Sequence, residues 1–232
     1  AKIIDPEGRL LGFFKIIQDR TREKELLKAK TEFVTVAAHQ LRTPLTGIKW
    51  TFEELSKGDL GQLGDAQKDL VARGIEASQK LIDIVNDLLD VARIEEAKFG
   101  YKFTNVNFIE VIEQALTIFQ RVAQKHNVKL YFNKPKESIP LITVDQEKIG
   151  LALQNLITNA IKYNVQNGEV VVGIAKIPDK PFVLISVKDT GIGIPPEDLH
   201  RLFNKFFRAG NVLKFEPEGL GLGLYIAKNI VA

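Results

Sequence analysis

Two long stretches with apolar residues at helical spacing dominate the first hundred positions of the chain. The first stretch begins at Thr21, and its apolar residues recur every three, four or seven positions, which predicts one long helix with an apolar seam. The seam residues are Leu26, Phe33, Ala37, Leu41, Leu45, Ile48, Phe52 and Leu55. Gly58, Gly61 and Gly64 interrupt the pattern, and a second helical stretch runs from about Ala66 to Lys98. Two long helices joined by a short glycine-rich turn predict an antiparallel helical hairpin.

The second helix carries a wider apolar surface than one neighbouring helix can cover. Its seam passes through Leu70, Ala77, Ile84 and Val91, and further apolar residues widen it. Such a surface is buried most simply when two identical hairpins associate. The sequence therefore predicts a homodimer in which two hairpins form a four-helix bundle.

The segments on either side of the hairpin have a different pattern of apolar and turn-forming residues. Residues 1–20 combine a turn signal at Asp5–Gly8 with an apolar run from Leu10 to Ile17. They resemble the last hairpin of a PAS sensor domain, and an arbitrary N-terminal hairpin is the alternative. Beyond Gly100, strand-like and helix-like segments alternate, which predicts a two-layer α/β sandwich with helices on one face of one sheet. The expected fold class is thus multidomain, α and α+β, with domains at 1–20, 21–99 and 100–232.

Composition narrows the range of functions. The chain has 232 residues, a net charge of +3 and no cysteine. This small charge is no reason to expect a nucleic-acid or lipid-surface partner, and disulfides and Cys metal sites are excluded. No apolar run approaches the roughly 20 residues of a membrane helix. Because the sequence contains no methionine, we interpret it as a fragment whose parent meets a membrane only through segments outside it.

His39 lies beside the seam of the first helix, next to seam residues Ala37 and Leu41. We expect an exposed imidazole on a rigid scaffold, and a neutral imidazole nitrogen can act as a nucleophile. A lone histidine on a helix is more often an ordinary surface residue. Pro44 follows one turn later, where it removes a helix bond to Gln40 at a cost of about 3 kcal/mol. This predicts a bend that could respond to a signal, and a tolerated kink without a role is the alternative.

Three further motifs favour a nucleotide site. Asn155, Asn159 and Lys162 share one helix face, as suits a Mg²⁺ held jointly with phosphates. Asp189 stands at the end of a strand, where a buried carboxylate can accept a hydrogen bond from the amino group of adenine. Gly219, Gly221 and Gly223 open the last helix, and backbone N–H groups at a helix N-terminus bind phosphate. Each motif alone is weak, because polar stripes are usually solvated and glycines often only make turns.

Together and in this order, the motifs resemble those of sensor histidine kinases over residues 21 to 232. Residues 33–45 are similar to the H box, Leu153–Tyr163 to the N box, and residues 202–208 to the F box. The resemblance implies an ATP- and Mg²⁺-dependent enzyme that phosphorylates its own His39 and passes the phosphoryl group to an Asp of a response-regulator receiver domain. It implies catalytic roles for His39, Gln40, Arg42 and Thr43. Asn159, assisted by Asn155, would hold Mg²⁺. Nucleotide contacts would come from Asn155, Asn159, Lys162, Tyr163, Asp189, Gly191, Gly193, Phe203, Arg208, Gly219, Gly221 and Gly223, under a lid at residues 209–218.

The chain departs from the family pattern at three places. Gln40 replaces an acidic residue, so we expect slower phosphotransfer and a more doubtful phosphatase activity. Leu220 replaces a small polar residue, and the sequence stops at Ala232, where the family continues into closing strands that would cover an apolar sheet face. Hydrolysing relatives of the same fold carry a Glu at the position of Asn155, and an amide is a poor base, which argues against an ATPase.

Two alternatives to an active kinase stay open: a non-catalytic, ATP-binding signalling dimer and an ATPase of the same fold. The resemblance implies a cytoplasmic protein. It also suggests a docking surface for the receiver domain at Thr46, Lys49, Trp50 and Glu53. The stimulus, the particular regulator, and whether each ATP-binding domain serves its own His39 or that of its partner do not follow from the sequence.

Overall fold

The computed structural model describes residues 2–4, 6–13, 21–96, 99–215 and 219–231. At the N-terminus, strands β1 (Lys2–Ile4) and β2 (Leu10–Phe13) pair antiparallel. A hairpin is therefore confirmed at this end of the chain. The end of its predicted apolar run, at residues 14–17, lies outside the described residues, and its assignment to a PAS domain stays a prediction.

The predicted long hairpin is confirmed. Helix α1 spans Thr21–Lys57 and packs along helix α2, Asp65–Glu95. Gly58 follows α1 with φ +82°, the left-handed conformation that commonly ends helices. At the start of α2, the side chain of Gln67 accepts a hydrogen bond from the backbone N–H of Gly64 (2.8 Å). α1 continues through Pro44 without interruption, so this proline does not end the helix, and a signal-dependent bend stays a prediction.

Contacts between α1 and α2 cover only part of the seam. Ala38 of α1 is buried with Val85 and Leu89 of α2. By contrast, the side chains of Leu26 and Phe33 are 72% and 73% exposed. Leu41, Ile48, Leu70 and Leu81 are exposed as well. A single hairpin therefore leaves a continuous part of its apolar surface uncovered.

The remaining chain folds as a mixed α/β domain. Its elements are β3 (Thr104–Val106), α3 (Phe108–Lys125), β4 (Lys129–Asn133), β5 (Ile142–Val144), α4 (Gln146–Lys162), β6 (Glu169–Lys176), β7 (Val183–Asp189), a 3-10 helix (Pro196–Arg201), α5 (Gly210–Phe215) and α6 (Gly223–Val231). In the sheet order β4-β6-β7, β4 runs parallel and β7 antiparallel to β6. β3 and β5 form a separate antiparallel pair. The expectation of one sheet is thus wrong for the described residues, because β5 pairs with β3 and not with the main sheet.

Helices α3 and α4 cover one face of the three-stranded sheet. Their buried apolar side chains meet those of β6 in a core formed by Phe108, Ile112, Ile157, Ile161, Val170 and Val172. Asp145 caps the N-terminus of α4 by accepting a hydrogen bond from the backbone N–H of Lys148 (3.0 Å), and it also accepts one from Lys102 (2.6 Å). These backbone donors, Lys102 first, hold the pKa of the Asp145 carboxyl below its usual range. This cap fixes α4, which carries the predicted Mg²⁺ ligands.

The α/β domain is docked against the end of the helical hairpin. Val91 of α2 is buried with Leu222 and Ile226 of the α6 region. Lys205 forms an ion pair with Glu95 at the end of α2. The prediction that Val91 belongs to the seam of the bundle is therefore wrong, because the α/β domain covers this side chain. Docking fixes the position of α2 relative to the site described next.

Candidate functional site

A cavity of about 470 Å³ lies between α4, the end of β7 and the loop that precedes α6. Its volume falls in the range of small-molecule sites. It is lined by all but two of the predicted nucleotide-contacting residues: Asn155, Asn159, Lys162, Tyr163, Asp189, Gly193, Arg208, Gly219, Gly221 and Gly223. Segments that lie up to some 70 positions apart in the sequence thus meet in one site.

The glycine loop before α6 is packed too closely to admit side chains. A Cβ at Gly221, whose φ is +69°, would lie 2.5 Å from the carbonyl oxygen of Phe207. A Cβ at Gly223 would lie 2.7 Å from Oδ1 of Asn155. The loop backbone therefore approaches both α4 and the segment that carries Arg208.

Two cations flank this loop. Nη1 of Arg208 donates a hydrogen bond to the carbonyl oxygen of Gly219 (3.2 Å). Nζ of Lys162 lies 3.7 Å from the position that a Cβ would take at Gly219. Phe206, two positions before Arg208, has a φ of +61°, a conformation that costs a non-glycine residue about 1–3 kcal/mol. The turn at Phe206 leads directly into Phe207 and Arg208, both of which line the cavity. The part of the cavity next to Lys162 and Arg208 therefore suits the phosphates of a nucleotide.

The amides on α4 fit a Mg²⁺ ion shared with phosphates. Asn155 and Asn159 lie one turn apart on α4, and both line the cavity. The buried Nδ2 of Asn155 has no hydrogen-bond partner among the described residues. This NH2 group is a donor, so a phosphate oxygen of a ligand could satisfy it. The amide oxygens of the two asparagines are suitable ligands for a hard cation. No group of three or more His, Asp or Glu side chains is placed to hold a metal in the described part of the chain.

Asp189 lines the cavity from the end of β7. Its Oδ1 accepts a hydrogen bond from the backbone N–H of Gly191 (2.8 Å), which fixes the carboxylate at the end of β7. The side chain is exposed, so the expectation of a buried carboxylate is wrong, because β7 ends in exposed residues, Lys188 and Asp189. Gly191 does not line the cavity and lies behind it, since a Cβ there would be 2.4 Å from the carbonyl oxygen of Tyr163.

Asn164 connects the end of α4 to the end of β7, and its role was not predicted from the sequence. Its side chain is buried and donates hydrogen bonds to the carbonyl oxygens of Ala160 (2.9 Å) and Glu169 (3.1 Å). It also accepts one from the hydroxyl of Thr190 (3.0 Å). These bonds hold the end of α4 against the end of β7. No short pattern signals this role, because the partners Glu169 and Thr190 lie 5 and 26 positions further along the chain.

Phe203 and the lid depart in part from their predicted places. Phe203 does not line the cavity; its ring lies near Nζ of Lys228 on α6 (5.6 Å), whereas Leu202 and Phe207 do line it. Within the described part of the lid, residues 209–215, Asn211 donates a hydrogen bond to the carbonyl oxygen of Gly193 (3.0 Å). This bond brings the start of α5 to the edge of the cavity. Residues 216–218 of the predicted lid lie outside the described residues.

Asp87 of α2 also lines the cavity, and it was not predicted. Burial, followed by the negative charges of Asp90 and Asp83, raises the pKa of Asp87 to about 6. Burial raises the pKa of Asp90 too, but Lys148, Arg93 and Arg42 oppose that shift. Asp87 therefore places a poorly compensated carboxylate beside the cavity. Its role could not be seen in the sequence, because it depends on how the two domains dock.

His39 is exposed on α1, as predicted, and its neighbour Ala38 is buried against α2. Gln40 and Thr43 are exposed as well, whereas Arg42 donates a hydrogen bond across the hairpin to Oδ1 of Asn86. In the described part of the chain, no residue of α1 lines the cavity. The structure thus brings the nucleotide-site residues together and leaves His39 outside that site.

The two parts of the chain match the models of two protein families. Residues 29–97 match the His Kinase A (phospho-acceptor) domain. Residues 144–232 match the histidine kinase-, DNA gyrase B-, and HSP90-like ATPase family. A phosphoacceptor hairpin followed by an ATPase-type domain defines a class of signalling proteins, and the chain belongs to the sensor histidine kinases.

Individual relatives agree with this assignment. The chain is 31% identical to the sensor histidine kinase WalK of Bacillus subtilis over 97% of its own length and 36% of WalK. It is 34% identical to the non-motile and phage-resistance protein of Caulobacter vibrioides, over 92% of the chain and 25% of that protein. It therefore spans about a third or less of these relatives. Among solved structures, full-length ShkA in complex with AMPPNP is similar with a TM-score of 0.68 and 26% identity, over 86% of this chain and 40% of ShkA. No helix in the described part of the chain is long and apolar enough to cross a membrane.

Proposed function

We propose that this chain binds ATP with Mg²⁺, transfers the γ-phosphoryl group to His39, and passes that group to an Asp of a response-regulator receiver domain. The observation that carries the proposal is the cavity itself. It unites α4 amides, two cations and a glycine loop in a chain that also presents an exposed histidine on a helical hairpin. ShkA, the similar solved structure, is a complex with AMPPNP, an ATP analogue.

In this proposal, different residues of the cavity bind the adenine and the phosphates. Asp189, held by Gly191, accepts a hydrogen bond from the amino group of adenine. Lys162 and Arg208 stabilise the phosphate charges, together with backbone N–H groups of the glycine loop. Asn159, with Asn155, would hold a Mg²⁺ ion that would supply further neutralisation of the phosphate charge. Asn155 is an amide and does not activate water, so bound ATP is preserved for transfer.

At His39, transfer is a displacement at phosphorus. An imidazole nitrogen forms a bond to the γ-phosphorus while the bond from phosphorus to the bridging oxygen breaks, and ADP leaves with that electron pair. The other ring nitrogen then loses its proton. Gln40 can accept a hydrogen bond from this N–H group but cannot take its proton, so the proton passes to solvent. We therefore expect slower transfer than with a carboxylate at this position.

Transfer within one chain requires a movement of domains. His39 lies outside the cavity in the docked arrangement, so the ATP-binding domain (residues 100–232) must leave α2 before its nucleotide meets His39 of the same hairpin (residues 21–99). Transfer to His39 of the partner in a dimer is the alternative. The dimer forms through the exposed seam of the hairpin, as a four-helix bundle.

The receiver domain is proposed to dock on the bundle below His39, in the cytoplasm. Trp50 is 62% exposed there, and large exposed aromatic side chains are typical anchors of protein interfaces. Lys49 and Glu53 form an ion pair beside it (3.3 Å). Thr46 lies on the same stretch of α1, where its hydroxyl donates to the carbonyl oxygen of Arg42 (2.8 Å).

The test is labelling with ATP that carries a radioactive γ-phosphate. The wild-type chain should acquire an acid-labile label that His39→Gln removes while ATP binding remains. His200→Gln is the matched control, because His200 is also exposed but lies in the α/β domain. Nucleotide binding without a label on the wild type would contradict the kinase and favour a signalling dimer that only binds ATP. Steady phosphate release would favour an ATPase.

Mixed dimers decide whether each ATP-binding domain phosphorylates His39 of its own chain or His39 of its partner. One chain carries His39→Gln and the other Asn159→Ala, so that only the first can bind ATP productively and only the second can accept phosphate. Label in the mixture demonstrates transfer between partners. Absence of label in the mixed dimer, with the wild-type homodimer active, demonstrates transfer within one chain.

A further inference from the structure

Docking inserts one acidic side chain of the phosphoacceptor hairpin into the wall of the proposed ATP site. Asp87 belongs to α2, whereas every other residue that lines the cavity belongs to the α/β domain. Its neighbour Leu88 packs, with Val91, against Leu222 of the glycine loop. Asp87 is therefore held on the side of the cavity where the phosphates of a nucleotide are proposed to lie.

The charges around Asp87 change when a nucleotide enters. The side chains that act on it most strongly along α2 are the like charges of Asp90 and Asp83. Across the cavity, Lys162 and Arg208 are the cations that share its walls. Bound Mg²⁺-ATP keeps a net negative charge, which offsets both of these cations. Asp87 is then left with the like charges of Asp90 and Asp83 and with phosphate oxygens across the cavity, in a partly buried place where charge repulsion is poorly screened.

We propose that Asp87 makes domain docking and ATP binding mutually unfavourable, so that ATP itself releases the ATP-binding domain from α2 and frees it to reach His39. The proposal rests on the proposed function, since it takes this cavity as the ATP site. Coupling of this kind is reciprocal: if docking weakens ATP binding, ATP weakens docking by the same factor. The effect depends on nucleotide charge, so it acts most on ATP, less on ADP and not on adenosine.

The test compares the affinities of Mg²⁺-ATP, Mg²⁺-ADP and adenosine by titration calorimetry on the whole chain. Asp87→Asn keeps the size of the side chain and removes its charge. We expect it to raise the affinity for ATP by about three- to tenfold, at the lower end of typical couplings between sites, with a smaller gain for ADP and none for adenosine. Asp59→Asn is the matched control, because Asp59 is exposed between α1 and α2, does not line the cavity and is not among the charges that raise the pKa of Asp87.

A second variant separates docking from a direct effect on the site. Val91→Glu places a charge in the apolar contact with Leu222 and Ile226 and should release the domain, seen as a larger radius of gyration in X-ray scattering. In that background, Asp87→Asn should no longer change ATP affinity. An unchanged or weaker ATP affinity in Asp87→Asn would overturn the proposal, and so would an equal gain for adenosine. Failure of every variant to bind any nucleotide would instead contradict the proposed function.

Discussion

Single charged residues determine how the proposed ATP site responds to its surroundings. Lys162 and Arg208 face the cavity from the α/β domain, and Asp87 faces it from α2. Asp189 stands apart at the end of β7, where Gly191 fixes its carboxylate. The cations are suited to phosphate and Asp189 to adenine, so residues of opposite charge are proposed to contact the two parts of the nucleotide. Asp87 is the member of this set whose charge the docked fold compensates least.

The raised pKa of Asp87 predicts a pH dependence of stability. The folded chain favours the protonated acid, with a pKa of about 6 against an ordinary value of 3.8. The stabilisation is therefore fully present below the ordinary value and is lost as the pH rises through about 6. Asp87→Asn imitates the protonated form, so it should raise the free energy of unfolding by about 1–2 kcal/mol at about pH 7.5, after allowance for partial exposure.

The measurement is urea-induced unfolding of both chains at two pH values. The difference between Asp87→Asn and the wild type should nearly vanish at about pH 4. Asp59→Asn, which is exposed and is not among the charges that act on Asp87, should show little difference at either pH. A stabilisation by Asp87→Asn that is equal at both pH values would show that the charge of Asp87 is not its cause.

At the scale of elements, the hairpin depends on one close contact between α1 and α2. A Cβ at Gly74 in α2 would lie 2.7 Å from two atoms of the Phe52 ring of α1. Alanine is favoured over glycine by about 1 kcal/mol inside a helix, so this glycine is retained at a cost in helix propensity. Its absent side chain allows the aromatic ring to pack against the backbone of α2.

Substitution of two helical glycines tests this interpretation. Gly74→Ala should lower the free energy of unfolding by about 1 kcal/mol, because overpacking costs about 1–3 kcal/mol and exceeds the gain in propensity. Gly47→Ala on α1 has no atom within 4 Å of the new Cβ and should raise stability by about 1 kcal/mol. Thermal unfolding of both variants gives the comparison. Equal stabilisation by the two substitutions would show that Phe52 moves aside freely.

At the scale of the whole molecule, local patterns were predictable and the arrangement of domains was not. The seam spacing predicted α1 and α2, and the nucleotide motifs, with the family resemblance they carry, predicted ten residues that line the cavity, because these signals lie within short segments. Val91 was assigned to the bundle because an apolar position on a helix does not specify its partner. Asp87 was missed for the same reason. The pairing of β5 with β3 depends on contacts 38 positions apart, such as Thr143 with Asn105, which no short pattern encodes.

The exposed apolar seam of the hairpin predicts that the protein forms a dimer. Leu70, Ala77 and Leu81 form an exposed stripe on α2, and Phe33, Leu41 and Ile48 are exposed on α1. Contiguous apolar surface of this kind marks an interface.

If two hairpins bury the stripe, Leu81→Glu places a carboxylate in an apolar contact and should weaken the dimer about tenfold or more. Sedimentation velocity over a concentration series measures this shift. Leu199→Glu is the control, since Leu199 is similarly exposed but lies in the α/β domain, so it should leave the dimer intact. A monomeric wild type, or equal weakening by both variants, would contradict association through the seam, and mixed dimers could not then exchange phosphate between partners.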